Sequence, residues 1–164
     1  MNILFSASEI VSMAIEAEKN GLDFYQAMAA KTDNEKIKAV FSFLADEEAQ
    51  HEKTFQTLLE NISLVKPSHA EEAENNSYLT ALASSRLFTS GKKMDELVRG
   101  ISDDLEALDV AINSEKESIL LYYELREYTK DEGLENVDLI LKEEKMHLAK
   151  LTKLKLELTK IKNS

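Results

Sequence analysis

The sequence predicts an all-α protein: a four-helix bundle with a long crossover between its second and third main helices. Three observations carry this. Helix breakers are scarce, with 4 Gly and 1 Pro in 164 residues, against usual shares of about 7% and about 5%. Apolar residues recur at the helical period in four long stretches. Those stretches form two pairs, roughly 8–61 and 103–160, separated by a segment of about 63–101 that contains the proline.

The first helix is expected from about Ser8 to Lys31, with Val11, Ala14, Leu22, Tyr25 and Met28 on one stripe and Glu18 in its middle. Thr32-Asp33-Asn34 then offers an N-cap. The second helix runs to about Asn61, its stripe being Ile37, Phe41, Leu44, Phe55, Leu58 and Ile62, with Glu48 and His51 on the same line. Ser102, followed by acids, is the N-cap expected for the third. Its stripe is Leu105, Leu108, Ile112, Ile119, Tyr122 and Leu125, with Glu115 inside it. Past Gly133 the fourth carries Val137, Ile140, Leu141, Leu151, Leu154 and Leu158, with Glu144 and His147 inside. Thr32-Asp33 and Lys130–Gly133 are short turns suited to antiparallel neighbours. The long connection, with Pro67, the acidic run at 71–74, Gly91 and Gly100, suits a second and third helix that run parallel. Tyr78–Phe88 and Met94–Arg99 read as short helices within it.

One domain spanning 1–164 is expected, large enough to bury a core. At 43% hydrophobic residues the chain is globular in composition. A net charge of −11 and a pI of about 4.8 argue against nucleic acid as a partner, because phosphates would be repelled. With no Cys, disulfides, iron–sulfur clusters and cysteine-ligated mononuclear iron are excluded for these residues. Ile3-Leu4-Phe5 is a short apolar patch without a basic region or cleavage motif, so no signal peptide is expected. No apolar run approaches the roughly 20 residues of a membrane span. A cytoplasmic location, away from membranes, is the expectation.

Two sets of residues carry the chemistry: Glu18 with Glu48-x-x-His51, and Glu115 with Glu144-x-x-His147. The upstream Glu precedes its motif by 30 residues in one set and 29 in the other, and Tyr25 and Tyr122 each lie seven places beyond that Glu. Two of the three His have Glu three places earlier; at His69 that place is Lys66. Three residues turn a helix by about 300°, so Glu and His of each motif project from nearly one face. An ionised Glu on an inward stripe is expensive unless paired or metal-bound, and each helix has one. Four carboxylates and two imidazoles suit a pair of divalent first-row metals, and they balance the charge of two such ions. Glu48 and Glu144 would bridge the metals, and Glu18 and Glu115 would be terminal ligands.

Neighbouring acids read differently. Glu16 shares a face with Ser12, Lys19, Asn20 and Asp23, and Glu117 with Asn113, Ser114 and Glu124, so both read as solvated. Glu47 and Glu143 lie about 100° off the inward stripe, and Glu47→Ala and Glu143→Ala are expected to leave metal stoichiometry intact. The hydroxyls of Tyr25 and Tyr122 either hydrogen-bond ligand carboxylates or belong to core aromatics reaching the surface. Gly21, one turn beyond Glu18, either leaves room for a small ligand near the metals or allows close helix packing. The Met residues read as core filling or surface, and His69 as exposed. The zincin motif, calcium loops, phosphate-binding glycine loops and nucleophile elbows are absent. No catalytic residue beyond the metal ligands is picked out.

With these motifs in order over both helical pairs, the chain resembles the rubrerythrin-like branch of the ferritin-like di-iron carboxylate proteins. The resemblance implies a ferritin-like bundle around two iron ions that react with dioxygen or hydrogen peroxide. Manganese and zinc suit the same donors. Rubrerythrins carry a rubredoxin-like domain with four Cys that delivers electrons. Its absence here implies an external electron donor, a protein or small reductant. They also place a carboxylate three residues after the third helix's Glu, where this chain has Ser118. That departure makes the ligand set more like the symmetric one of bacterioferritin-type centres. The implied function is a non-haem di-iron oxidoreductase reducing hydrogen peroxide, dioxygen or both, as a homodimer. The alternatives are a ferroxidase that handles Fe(II) as substrate, or a non-catalytic di-metal bundle.

Overall fold

The computed structural model describes residues 6–61, 77–84 and 92–164. Among them every regular element is helical: α1 Ala7–Lys31, α2 Glu35–Asn61, α3 at 77–84, α4 Lys92–Gly100, α5 Asp104–Glu127 and α6 Asp131–Lys162. The four long helices coincide with the four apolar stripes. Ile3-Leu4-Phe5, Ile62, Pro67, His69, the acidic run at 71–74, residues 85–88 and Gly91 lie outside the described residues.

Local chemistry fixes the helix starts. Ser6 and Glu9 form a reciprocal capping box at α1: Glu9 N–H donates to Ser6 Oγ at 3.2 Å, and Ser6 N–H donates to the Glu9 carboxylate at 2.6 Å. Asn34 caps α2, its side-chain oxygen accepting from Lys36 and Ile37 N–H at 3.1 and 3.2 Å. For α5 the cap is Asp103, not Ser102; the Asp103 carboxylate accepts from Glu106 N–H at 2.9 Å. Ser102 instead donates its N–H and hydroxyl to the Glu106 carboxylate, at 2.8 and 2.7 Å. The fourth long helix starts earlier than expected, at Asp131, so Gly133 lies inside its first turn. There a Cβ would stand 2.7 Å from Leu58 Cδ1. Gly133 thus lets the start of α6 close on the end of α2.

The core falls into two clusters. One joins Phe24 and Met28 of α1, Ile37 and Phe41 of α2, Leu108 and Ile112 of α5, and Leu151 and Leu154 of α6. The other joins Ile10 and Val11, Phe55 and Leu58, Leu121 and Leu125, and Val137 and Ile140. Following the chain, α1 and α6 run from the second cluster to the first, whereas α2 and α5 run from the first to the second. Helices α2 and α5 are therefore parallel. Leu79 of α3 is buried in the second cluster, and Met94 of α4 and Ile101 just past its end are buried in the first. Lys31 Nζ ties α4 down by donating to the carbonyls of Val98 and Ile101, each at 2.7 Å.

Five positions depart from the expected faces. Leu22, Leu105, Ile119 and Leu158 are only partly buried. Asn20, expected on a wet face, is 3% exposed. Between the two apolar clusters, on all four long helices, lies a layer that is buried and ionisable.

Candidate metal centre

That layer contains Glu18, Glu48, His51, Glu115, Glu144 and His147, each no more than 5% exposed. All six residues singled out from the motifs are brought together. His51 Nδ1 lies 2.9 Å from Glu144 Oε1, 3.4 Å from Glu48 Oε2 and 3.5 Å from Glu18 Oε2. His147 Nδ1 lies 3.6 Å from Glu144 Oε2 and 3.9 Å from Glu115 Oε2. Two groups result, Glu18–Glu48–His51–Glu144 and Glu115–Glu144–His147, and the donor atoms of each fall within 4.8 Å of one another. Glu144 belongs to both, with one oxygen facing each imidazole. Glu48 falls in the first group only. The imidazoles lie nearly parallel, ring centres 5.7 Å apart and planes 23° apart.

Six buried atoms in this layer have no hydrogen-bond partner among the described residues: Glu48 Oε2, His51 Nδ1, Glu115 Oε2, both Glu144 oxygens and His147 Nδ1. Close approaches such as the 2.9 Å from His51 to Glu144 lack hydrogen-bonding geometry. Each orphan of this kind costs about 1–3 kcal/mol, more when charged. A native core rarely holds so many together. Divalent cations would satisfy them all, and carboxylate oxygens with imidazole nitrogens are donors that iron, manganese and zinc accept. The residues present fit a dinuclear metal centre.

The electrostatics point the same way. Burial, and then the charges of Glu18 and Glu144, push the Glu48 carboxyl well above its usual range. Burial, then Glu144, does the same to Glu115. Against its own burial, Glu144 is held low by the adjacent Glu115 carboxyl and the two imidazoles. Also against burial, Glu144, Glu18 and Glu48 hold His51 protonated. Without cations the layer must therefore take up protons; with them it can stay ionised.

Both tyrosines are fully buried, which settles the alternative left open for them. Tyr25 of α1 donates its hydroxyl to Glu115 of α5, and Tyr122 of α5 donates to Glu18 of α1. Each bond crosses the bundle, so each phenol orients a carboxylate of the opposite helical pair. Burial and the neighbouring carboxylates hold both phenols well above their usual range, so they stay protonated donors. Gly21 is settled too. A Cβ there would lie 3.1 Å from Glu48 Oε1 and 3.4 Å from its Cδ. The space that the glycine leaves is filled by Glu48.

Two residues read as outward prove to reach the layer from its edge. Glu143 Oε2 lies 3.0 Å from His51 Nε2, and Glu47 Oε2 lies 3.8 Å from His147 Nε2. Glu143 therefore bonds the imidazole of the other motif across the seam between α2 and α6, and Glu47 only approaches its counterpart. A carboxylate at Nε2 keeps that nitrogen protonated and leaves Nδ1 free to bind a metal. The repeated doublets, Glu47-Glu48 and Glu143-Glu144, were the signal. Glu143→Ala is expected to weaken metal affinity by about 10–100-fold, with full stoichiometry still reached at saturation. Glu47→Ala, whose contact is longer, should do less. Competition against a chelator measures both, and equal effects would contradict the ranking.

A family model described as Rubrerythrin matches residues 9–155, a span that contains α2 and α5 whole, most of α1 and α6, and all six clustered residues. The chain belongs to the rubrerythrin family. A crystal structure from Thermotoga maritima, described as that of a ferritin-like diiron-carboxylate protein, superposes with a TM-score of 0.70 at 28% identity. The match covers 96% of this chain and 99% of that one. An encapsulin nanocompartment cargo protein, EncC of Myxococcus xanthus, is 33% identical over 81 residues, 49% of this chain. The match spans 56% of that relative's length. No described helix of this rubrerythrin-family chain is long and apolar enough to cross a membrane.

Proposed function

We propose that the protein is a non-haem di-iron oxidoreductase of rubrerythrin type, reducing hydrogen peroxide, dioxygen or both with electrons from an external donor. The observation that carries this is the set of six orphaned donor atoms on Glu48, His51, Glu115, Glu144 and His147, within a layer of four buried carboxylates and two imidazoles. Glu48 and Glu144 would bridge the metals, Glu18 and Glu115 would be terminal ligands, and His51 and His147 would bind one metal each through Nδ1. Two iron ions held side by side supply two electrons together, the number needed to cleave the O–O bond of peroxide to water. The chain's part is positional. Tyr25 and Tyr122 fix the terminal carboxylates, Glu143 fixes the His51 tautomer, and the apolar clusters on either side keep bulk water from the layer.

Stopped-flow oxidation of the anaerobically reduced protein tests this reading. Peroxide is expected to react faster than dioxygen, with continued turnover only when a donor is supplied. Equal or faster reaction with dioxygen would contradict the peroxidase assignment. Ser118 is half-buried three residues beyond Glu115, where rubrerythrins carry an additional carboxylate. Ser118→Glu should shift the preference further toward peroxide.

A second reading is favoured by the likeness to an encapsulin cargo protein. Here Fe(II) is substrate rather than resident cofactor, oxidised for storage inside a shell. The two readings separate on stoichiometry: a ferroxidase consumes many Fe(II) per chain with no added donor, whereas the oxidoreductase stops after one equivalent of its own centre. Size-exclusion chromatography adds a second check, since the oxidoreductase reading expects a homodimer and a self-assembling iron store expects a closed cage.

A further inference from the structure

Between α2 and α6 lies an open groove of about 480 Å³, every lining residue of which belongs to one of those two helices. Its floor is apolar, formed by Val40 and Phe43 among others, and its rim carries Lys36, Lys150 and Lys153. Among the described residues Glu157 is the one acid lining the groove, and it is paired with Lys36. A rim with three lysines is out of keeping with a chain whose net charge is −11. Lys150 has no acid partner among the described residues; its Nζ stands 3.7 Å above the centre of the Phe43 ring.

Phe43 links this groove to the buried layer. It is 40% exposed, yet its ring meets the His147 imidazole edge-on, at 6.1 Å between ring centres and 90° between planes. His147 itself is 2% exposed. One aromatic ring therefore separates the groove from an inward-facing imidazole of the metal layer.

We propose that this groove is where the external electron donor docks, and that the donor is a small protein with an acidic face around its redox centre. The proposal rests on the oxidoreductase reading, which requires such a donor. Charge complementarity selects the partner: an acidic protein is repelled by the chain as a whole and attracted by this rim, which steers it to one place. Exposed Phe43 then gives the encounter an apolar centre inside a charged margin, the arrangement of a short-lived protein contact. The donor loses one electron per encounter, and two encounters restore the two electrons that one peroxide consumes as it takes up two protons and becomes water.

The test uses an acidic plant-type [2Fe–2S] ferredoxin as probe, with two readouts. Binding of oxidised ferredoxin to the metal-free protein is measured by calorimetry, and reduction of the iron-loaded protein by reduced ferredoxin is followed by stopped flow. Reduced methyl viologen, a small cation, serves as the control reductant. For the unaltered protein, binding should weaken steeply with salt. Lys150→Glu with Lys153→Glu should weaken it by about 10-fold or more and slow ferredoxin-driven reduction to match, leaving the viologen rate unchanged. Lys150→Arg with Lys153→Arg should keep both. Ferredoxin that fails to bind, or that binds and reduces the charge-reversed protein as it does the original, would overturn the proposal. Loss of reduction by free reduced flavin mononucleotide alone would overturn it as well, making the groove a small-anion site. If ferredoxin binds at the groove but neither reductant changes the metal, the oxidoreductase reading fails and the docking surface stands.

Discussion

Replacing both Glu48 and Glu144 with Ala is expected to abolish dinuclear metal binding, leaving at most one weakly held ion per chain. Glu144 presents one oxygen to each imidazole and belongs to both donor groups, so its loss removes the connection between them. Glu48 completes the first group, beside Glu18 and His51. What remains is Glu18 with His51 and Glu115 with His147, two donors at each end, fewer than a divalent ion needs for firm capture. Elemental analysis after anaerobic Fe(II) loading and desalting reads the result. Glu16→Ala, an exposed position on the far face of α1, is the matched control and should retain the full complement. A double variant that still bound two ions would show that the bridging assignment is wrong.

The metal-free protein is expected to lose stability as pH rises from about 5 to about 8, opposite to the metal-loaded form. Glu48 and Glu115 are raised well above the ordinary carboxylate value in the folded chain, by burial and then by their acidic neighbours. Against its burial, His51 is raised as well, by Glu144, Glu18 and Glu48. A raised folded-state value means that the native state binds more protons than the unfolded chain, so this contribution is complete at low pH and lost on going up. Glu144 is shifted down, and its contribution is lost only below its ordinary value, outside that window. Bound cations replace the protons and reverse the trend, because protons compete for the same atoms. Thermal melts of both forms across this range check the sign. Glu48→Gln, which removes one crowded charge without opening a cavity, should flatten the metal-free profile; a profile rising with pH would refute the account.

Much of this architecture was legible because burial of charge is so unfavourable. Glu18, Glu48, Glu115 and Glu144 stood out as acids on apolar stripes, and helical phase alone placed them inward. The long connection likewise implied parallel α2 and α5. What could not be read depends on how far a side chain reaches across a seam. Glu143 is rightly phased off the core of its own helix, yet α2 lies close enough for its carboxylate to meet His51. Asn20 was misplaced for the same reason: periodicity describes one helix, and burial is decided by its neighbours. At Ser102 and Asp103 two good capping residues stand side by side, and only the backbone decides between them. Gly133 read as a breaker because glycine ends helices often, whereas here its missing side chain admits Leu58. The groove beside Phe43 is a property of two helices together, so no single stripe announced it.

The central claim is that six buried, unpartnered donor atoms form one dinuclear centre. Anaerobic titration of the metal-free protein with Fe(II), followed by near-infrared circular dichroism and by elemental analysis, tests it most directly. The account predicts saturation at two Fe(II) per chain, with both ligand-field signals lost together in the Glu48→Ala, Glu144→Ala variant. A protein that stayed metal-free under these conditions, or that saturated at a single ion insensitive to His51 and His147, would contradict it.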